Sequence, residues 1–281
     1  MIETIYIARH GFRSNWVTSN WTSPTGLPRD PPLAAYGVTQ AEELAQYFLS
    51  LPEDQRPTAI FSSPYYRCLQ TSKPVSEALG VPIYVEHGIS EWYSPAAPNT
   101  GLHPRPSSAS SLVSYFPQID PSGWSSIYYP SRKGEDVPQL HDRIGGFLKD
   151  FIPEVEKTKP EHKRILLCSH AATVIVLARQ LLGDLELPLR VATCSLTEVY
   201  RKKGAEEEEV KVLGGWEAKR LAEATFLTGG IQRDWGLEDI VMDHGKVVED
   251  QGVPGTQDEL DEPVGSQADR RNGPPPIPSS L

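Results

Sequence analysis

Four short runs of the chain are apolar and rich in β-branched residues: Ile2–Ala8, Thr58–Ser63, Val81–Val85 and Arg164–Cys168. Near-continuous apolar runs of this length predict strands buried on both faces, as in a parallel sheet. Helical spacing fills the gaps between them. Ala41, Leu44, Ala45, Phe48 and Leu49 predict a helix that begins near Thr39 and stops before Pro52. Tyr65 to Leu79 predicts a second helix closed by Gly80, with Pro74 marking a kink or a fresh start. Val137 to Val155 and Ala171 to Leu182 predict two more, the last ended by Gly183. Val191–Tyr200 and Glu209–Leu213, joined by a Lys/Gly/Glu turn, predict a hairpin whose tip carries Glu206 to Glu209. Strands alternating with helices imply an α/β three-layer sandwich, a mostly parallel sheet with helices on both faces.

Three stretches break the pattern. Residues 12–35, with five prolines and glycines, predict a long loop over the sheet's edge. Residues 92–135 are rich in Ser, Pro, Gly and aromatics, and a stretch of that length without periodicity predicts a lid or disorder. The aromatics favour a lid that packs on something. From about Gly245 the chain is acidic and rich in Pro, Gly, Gln and Ser, a composition that cannot bury enough apolar surface to order itself. The expected organisation is therefore one domain over 1–244, with a core at 1–200, the lid at 92–135 and an extension at 201–244, then a disordered tail at 245–281. Trp216, Phe226, Leu227, Ile231 and Trp235 are the expected packing anchors of the extension. No internal repeat is evident.

Composition narrows the function. The chain of 281 residues is 38% hydrophobic and 23% charged, a globular balance, and its net charge of −10 argues against a general nucleic-acid binder. Any arginine cluster must then act locally, inside a pocket. No apolar run approaches membrane-spanning length and no basic leader precedes the first strand, so the expectation is an intracellular protein of cytoplasm, nucleus or both, without a membrane partner. Cys68, Cys168 and Cys194 are far apart, an odd set that fits reduced, packed thiols.

The polar residues that follow the apolar runs carry the chemistry. The first run ends in Arg9-His10-Gly11-Phe12-Arg13, the second in Ser62-Ser63-Pro64-Tyr65-Tyr66-Arg67, the third is followed by Glu91, and the fourth by Ser169-His170. Ligands of open α/β sheets bind beyond the carboxyl ends of the strands, so these residues can converge. Histidine can act as a nucleophile, arginines neutralise an anion, and Gly11 admits close approach of the backbone.

In this order and context the motifs resemble the histidine phosphatase, or phosphoglycerate-mutase-like, superfamily. Its pieces are Arg9-His10-Gly11, Pro32-Leu33 with Gly37 and Gln40-Ala41, Ser62-Ser63-Pro64 with Arg67 and Gln70-Thr71, Glu91, and Ser169-His170, with Gly134-Glu135-Asp136 and Arg143 similar to the family's Gly-Glu-Ser segment. The resemblance covers roughly residues 1–200. It implies a phosphatase with His10 as nucleophile, Arg9, Arg67 and His170 around the phosphate, and Glu91 as general acid and then base, with no cofactor and no metal. Phe12 and Arg13 resemble the branch of the UBASH/Sts phosphatase domains and the fungal TFIIIC tau subunits, where the additional arginine joins the phosphate pocket. Ala171 stands where acid phosphatases of the superfamily carry aspartate, which leaves the acid role to Glu91.

Other readings stay open at this stage. Glu86 and Glu135 are rivals to Glu91. His87, His103, His141, His162 and His244 show no ligand spacing and are expected at the surface, with His103 in the lid the one to watch. A substrate would be a phosphorylated small molecule or phosphoprotein. The resemblance also implies two alternatives: a weakly catalytic or non-catalytic subunit of a TFIIIC-like assembly, docking a protein partner through Trp216, Trp235 and the tail, and a phosphoglycerate-type mutase.

Overall fold

The computed structural model describes residues 1–96, 99–202, 211–240, 242–243, 246–247 and 260–272. Strand β1 (Thr4–Arg9) leads through a loop into helix α1 (Ala35–Ser50), then β2 (Ala59–Ser62), α2 (Tyr66–Leu79) and β3 (Ile83–Val85). A mostly irregular segment holds α3 (Ala109–Leu112) and β4 (Tyr128–Tyr129). Then come α4 (Val137–Thr158), β5 (Arg164–Ser169), α5 (Ala171–Leu182), β6 (Leu196–Arg201) and β7 (Trp216–Glu223). The two-residue strands β8 (Met242–Asp243) and β9 (Lys246–Val247) pair with each other, and β10 (Gly265–Ser266) precedes α6 (Ala268–Asn272).

The main sheet runs β3-β2-β5-β1-β6-β7. Its first four strands are parallel, while β6 is antiparallel to β1 and β7 to β6. Alternation along each strand divides the core in two. Ile5, Ile7, Phe61, Ile165 and Leu167 face α4 and α5 through Phe147, Phe151 and Ile175. Tyr6, Ala8, Ile60 and Leu166 face α1 and α2 through Leu44, Phe48, Leu69 and Val75. The fold is thus an α/β three-layer sandwich.

Helix boundaries follow local chemistry. Gly80 and Gly183 end α2 and α5 in the left-handed conformation that glycine adopts without penalty. Asp136 caps α4 by accepting from the Gln139 amide at 2.8 Å, and the Gln139 side chain accepts from the Asp136 amide in return. Helix α2 continues through Pro74.

The structure differs from the sequence reading in three places. The partner of β6 is Trp216–Glu223; of the expected strand at 209–213, residues 209–210 and the tip at 206–209 lie outside the described residues, and 211–213 form no strand. Residues 92–135 are largely built into the body rather than laid over it. Leu112, Phe116 and Ile119 join the core on the α1/α2 side, and Trp124 and Ile127 join the other. Third, Leu260–Asn272 of the expected disordered tail is structured: β10 pairs with β4, and Asp261 accepts from the Arg132 amide at 2.6 Å and from Ser131 Oγ at 2.8 Å. A few well-placed polar bonds order a segment whose composition alone argues against burial.

Candidate active site

Parallel register puts the key residues side by side. Arg9 is opposite Ser169 and Ser62 opposite Cys168, so His10, Ser63 and His170 leave three adjacent strands at one level. The His10 amide donates to Ser169 O at 2.9 Å, and the imidazoles of His10 and His170 lie with centroids 5.4 Å apart. Arg67 arrives from the first turn of α2, fully buried.

The motif residues around the site hold its loops. Gly11 and Gly37 are in close contact: a methyl group on Gly11 would sit 2.7 Å from the Gly37 carbonyl oxygen, and one on Gly37 would sit 2.1 Å from that of Phe12. The Gly11 amide donates to Thr71 Oγ1, the Phe12 amide to Gln40 Oε1 and the Leu33 amide to Gln70 Oε1. These glutamines and threonine thus anchor the loop that carries His10 and the loop that carries Asp30.

A cavity of about 710 Å³ opens above, lined among others by Arg9, His10, Arg13, Arg67 and Glu91. His170 sits behind this wall, fully buried. Its Nε2 contacts Ser63 Oγ at 2.8 Å; its Nδ1 lies 3.1 Å from Arg67 Nη2 and 3.2 Å from Glu91 Oε2. Arg67 donates to Glu91 and to Asp30, each at 2.9 Å. The Asp30 side chain also accepts from the Tyr66 amide at 2.7 Å. All six residues singled out in the sequence therefore surround one place. Asp30, Ser63 and Trp16 also belong to it, and the exposed Arg233 lines the cavity farther out. Ser63 sits inside a motif segment and Asp30 stands two residues ahead of another, a usable signal; nothing local marks Arg233.

Electrostatics favour an anion. Burial, then Arg67, His170, Arg9 and Arg13, push His10 well below the ordinary histidine range, so its ring is neutral. Its Nδ1 lies 2.8 Å from Gly11 O, a pure acceptor, so Nδ1 carries the proton and Nε2 keeps its lone pair. Burial lowers His170 to about 4 against the pull of Glu91. Burial raises the Glu91 carboxyl, but His170, Arg67 and Arg13 outweigh it and hold it well below the usual carboxylate range. Arg13 is lowered to about 9 and Arg9 to about 10, chiefly by burial, and both stay cationic at neutral pH. Among the described residues, the Nε atoms of Arg9, Arg13 and Arg67 are buried without a hydrogen-bond partner. His10, Glu91 and His170 also offer ligand atoms within 4.8 Å of one another, a spacing a metal ion can use, but three guanidinium groups beside them make an anion the better occupant.

The rival acids have other employment. Glu86, fully buried, accepts from Trp124 Nε1 at 2.8 Å and the Ile127 amide at 3.0 Å, tying residues 124–127 to β3. Glu135 pairs with Arg143 at 2.8 Å. His87 and His103 are buried, contrary to the surface expectation. His87 bonds Ser126 Oγ and stacks on Tyr129, and His103 bonds Ser94 O and stacks on Tyr93. Each side chain supplies a polar partner that an irregular backbone lacks. His141 and His162 are half-buried, and His244 lies outside the described residues. Trp216 is not a docking surface either: it is 1% exposed and donates to Val212 O.

The chain is similar to several known proteins. It is 44% identical over 185 residues to the transcription factor tau 55 kDa subunit of Saccharomyces cerevisiae, a match covering 65% of this chain and 42% of that protein. It is 24% identical over 242 residues to the ecdysteroid-phosphate phosphatase of Drosophila melanogaster, covering 71% of this chain and 31% of that one. The chain thus spans less than half the length of these relatives. Among solved structures, the ecdysone phosphate phosphatase of Bombyx mori, in complex with tungstate, superposes with a TM-score of 0.56 at 16% identity over 78% of this chain and 93% of that one. A mycobacterial glucosyl-3-phosphoglycerate phosphatase in complex with VO3 gives 0.50 at 16% identity over 78% and 98%. With residues 5–212 matching the profile of the histidine phosphatase superfamily (branch 1), the chain belongs to that superfamily.

Proposed function

We propose that this protein is a phosphomonoesterase that works through a phosphohistidine on His10. The observation that carries the reading is the fixed tautomer of His10: Nδ1 is held by Gly11 O, which leaves the Nε2 lone pair for the cavity and the arginines around it. Nε2 attacks phosphorus, an N–P bond forms, and the P–O ester bond breaks as Glu91 delivers a proton to the leaving oxygen. Water then attacks phosphorus, Glu91 takes its proton, the N–P bond breaks, and orthophosphate leaves. Splitting one displacement in two lowers each barrier, and Arg9, Arg13 and Arg67 neutralise charge on the equatorial oxygens.

Glu91 must be protonated to act first as an acid, yet it is ionised in the free site. An arriving phosphoryl group resolves this. Its oxygens compete for Arg67 and His170, the groups that hold Glu91 down, so binding raises the carboxyl toward protonation. Substrate capture and acid supply are then one event. Trp16, Trp21, Trp92 and Tyr93 in the cavity wall favour an apolar leaving group, on a small molecule or a phosphoprotein.

A second reading, a subunit of a nuclear transcription-factor assembly, is favoured by the 44% identity to the tau subunit. Hydrolysis of 4-nitrophenyl phosphate by the wild-type protein beside His10→Ala separates them. Release of nitrophenol that disappears in the variant, with acid-labile phosphate trapped on the wild type, is the expected result. Equal inactivity of both proteins would favour assembly. Phosphoryl return to a second substrate hydroxyl, instead of orthophosphate release, would point to a mutase.

A further inference from the structure

We propose that Arg233 forms a second anion subsite at the rim of the cavity, so that the substrate carries a further carboxylate or phosphate on the leaving-group side of its phosphomonoester. This deepens the reading of the cavity as a phosphate site. At the inner end, Arg67 is engaged by Asp30 and Glu91, and Arg9 by the carbonyls of Val191 and Arg233. Arg233 reaches the same cavity from the chain that follows β7. Its guanidinium lies 5.3 Å from the Trp16 ring centre, on the indole that Arg13 also covers at 4.2 Å.

The charge of Arg233 is left for a ligand. Asp234, Glu238 and Asp239, its acidic neighbours in sequence, all pair with Arg190, at 2.7, 2.8 and 2.8 Å. Among the described residues the Arg233 side chain makes no hydrogen bond or ion pair. In a chain of net charge −10 an acid could readily have been placed beside it. The backbone is held too. Arg233 has φ of 50°, a left-handed conformation uncommon for a residue with a side chain. Gln232 O accepts from the Thr193 amide, and Trp235 bridges Val191 on the other side. The side chain is thus presented from a fixed point, beside an indole suited to an apolar spacer between two anions.

Calorimetric titration with straight-chain alkane bisphosphonates and with alkyl monophosphonates of matching length tests this, and needs no turnover. In the wild type, the best-fitting bisphosphonate is expected to bind about tenfold more tightly than its monophosphonate, the scale of one charge-assisted contact. Arg233→Ala should erase that advantage and leave monophosphonate affinity within about twofold, while Arg233→Lys restores part of it. Two outcomes overturn the proposal: no bisphosphonate advantage in the wild type, or equal loss of both ligands in Arg233→Ala. Monophosphonate binding that persists in the first case would show the phosphate site intact and Arg233 alone misassigned.

Discussion

His10 and Arg67 reach the cavity, with Ser63 and His170 behind them, from strand ends and the first turn of a helix, whereas Trp92, Tyr93, Arg233 and Trp235 reach it from chain with little regular structure. In the first group, backbone ladders set position: Arg9 opposite Ser169 fixes where both histidines stand. In the second, isolated contacts do so: Trp92 Nε1 donates to Glu135 O, Tyr93 stacks on His103, the Thr193 amide donates to Gln232 O, and Trp235 bridges Val191. The contrast teaches that the anion-binding floor is a property of the sheet. The walls are assembled bond by bond, and there substrate choice can vary without disturbing the floor.

That division predicts different consequences for damage in each region. On the floor, Glu91→Gln should reduce turnover by about 100- to 10,000-fold, since general acid help is lost. Orthophosphate inhibition should stay within a few-fold, because the arginines remain. Steady-state kinetics with phosphate as inhibitor reads both, and an unchanged kcat would remove Glu91 from the mechanism. In the irregular segment behind the wall, Glu86→Ala should cost about 3 kcal/mol in folding stability, by removing the carboxylate that accepts from the buried Trp124 indole N–H and the Ile127 amide. Urea denaturation measures it, and a loss below about 1 kcal/mol would mean that residues 124–127 are held by other contacts.

A smaller effect sharpens the comparison further, because both regions bury histidines. Burial lowers His10 well below 6.5 and lowers His87 and His170 to about 4. An unfolded chain takes up protons near 6.5 that the folded one refuses, so stability is full above that pH and declines as pH falls from 6.5 toward 4. Thermal melts between about pH 7.5 and 5 should therefore show a falling Tm, and His87→Gln should flatten part of the slope. A Tm independent of pH over this range would contradict the buried, neutral state of these rings.

The legibility of the sequence follows the same line. The apolar runs at Ile2–Ala8 and Arg164–Cys168 are buried central strands, and the polar residues after them meet because parallel neighbours end together. Glu91 was legible only with the family motifs beside it; geometry separates it from Glu86, whose carboxylate is consumed by Trp124 and Ile127. His87 and His103 were misread as surface residues because a buried histidine in irregular chain has no periodic signature. The second strand of the hairpin was misplaced, because Trp216–Glu223 is exposed on several positions and so lacks an apolar run.

By itself, the sequence determined the layered α/β architecture, the order of its main strands and helices, and the set of residues at the sheet mouth. Those depend on periodicity and on short-range turn chemistry, which are written locally. Tertiary structure decided which acid faces His170, that Leu260–Asn272 is part of the folded body, and that Arg233 stands over Trp16. Each of these joins residues far apart in the chain through a few isolated side-chain contacts or a two-residue strand pairing, and such contacts leave no local pattern to read.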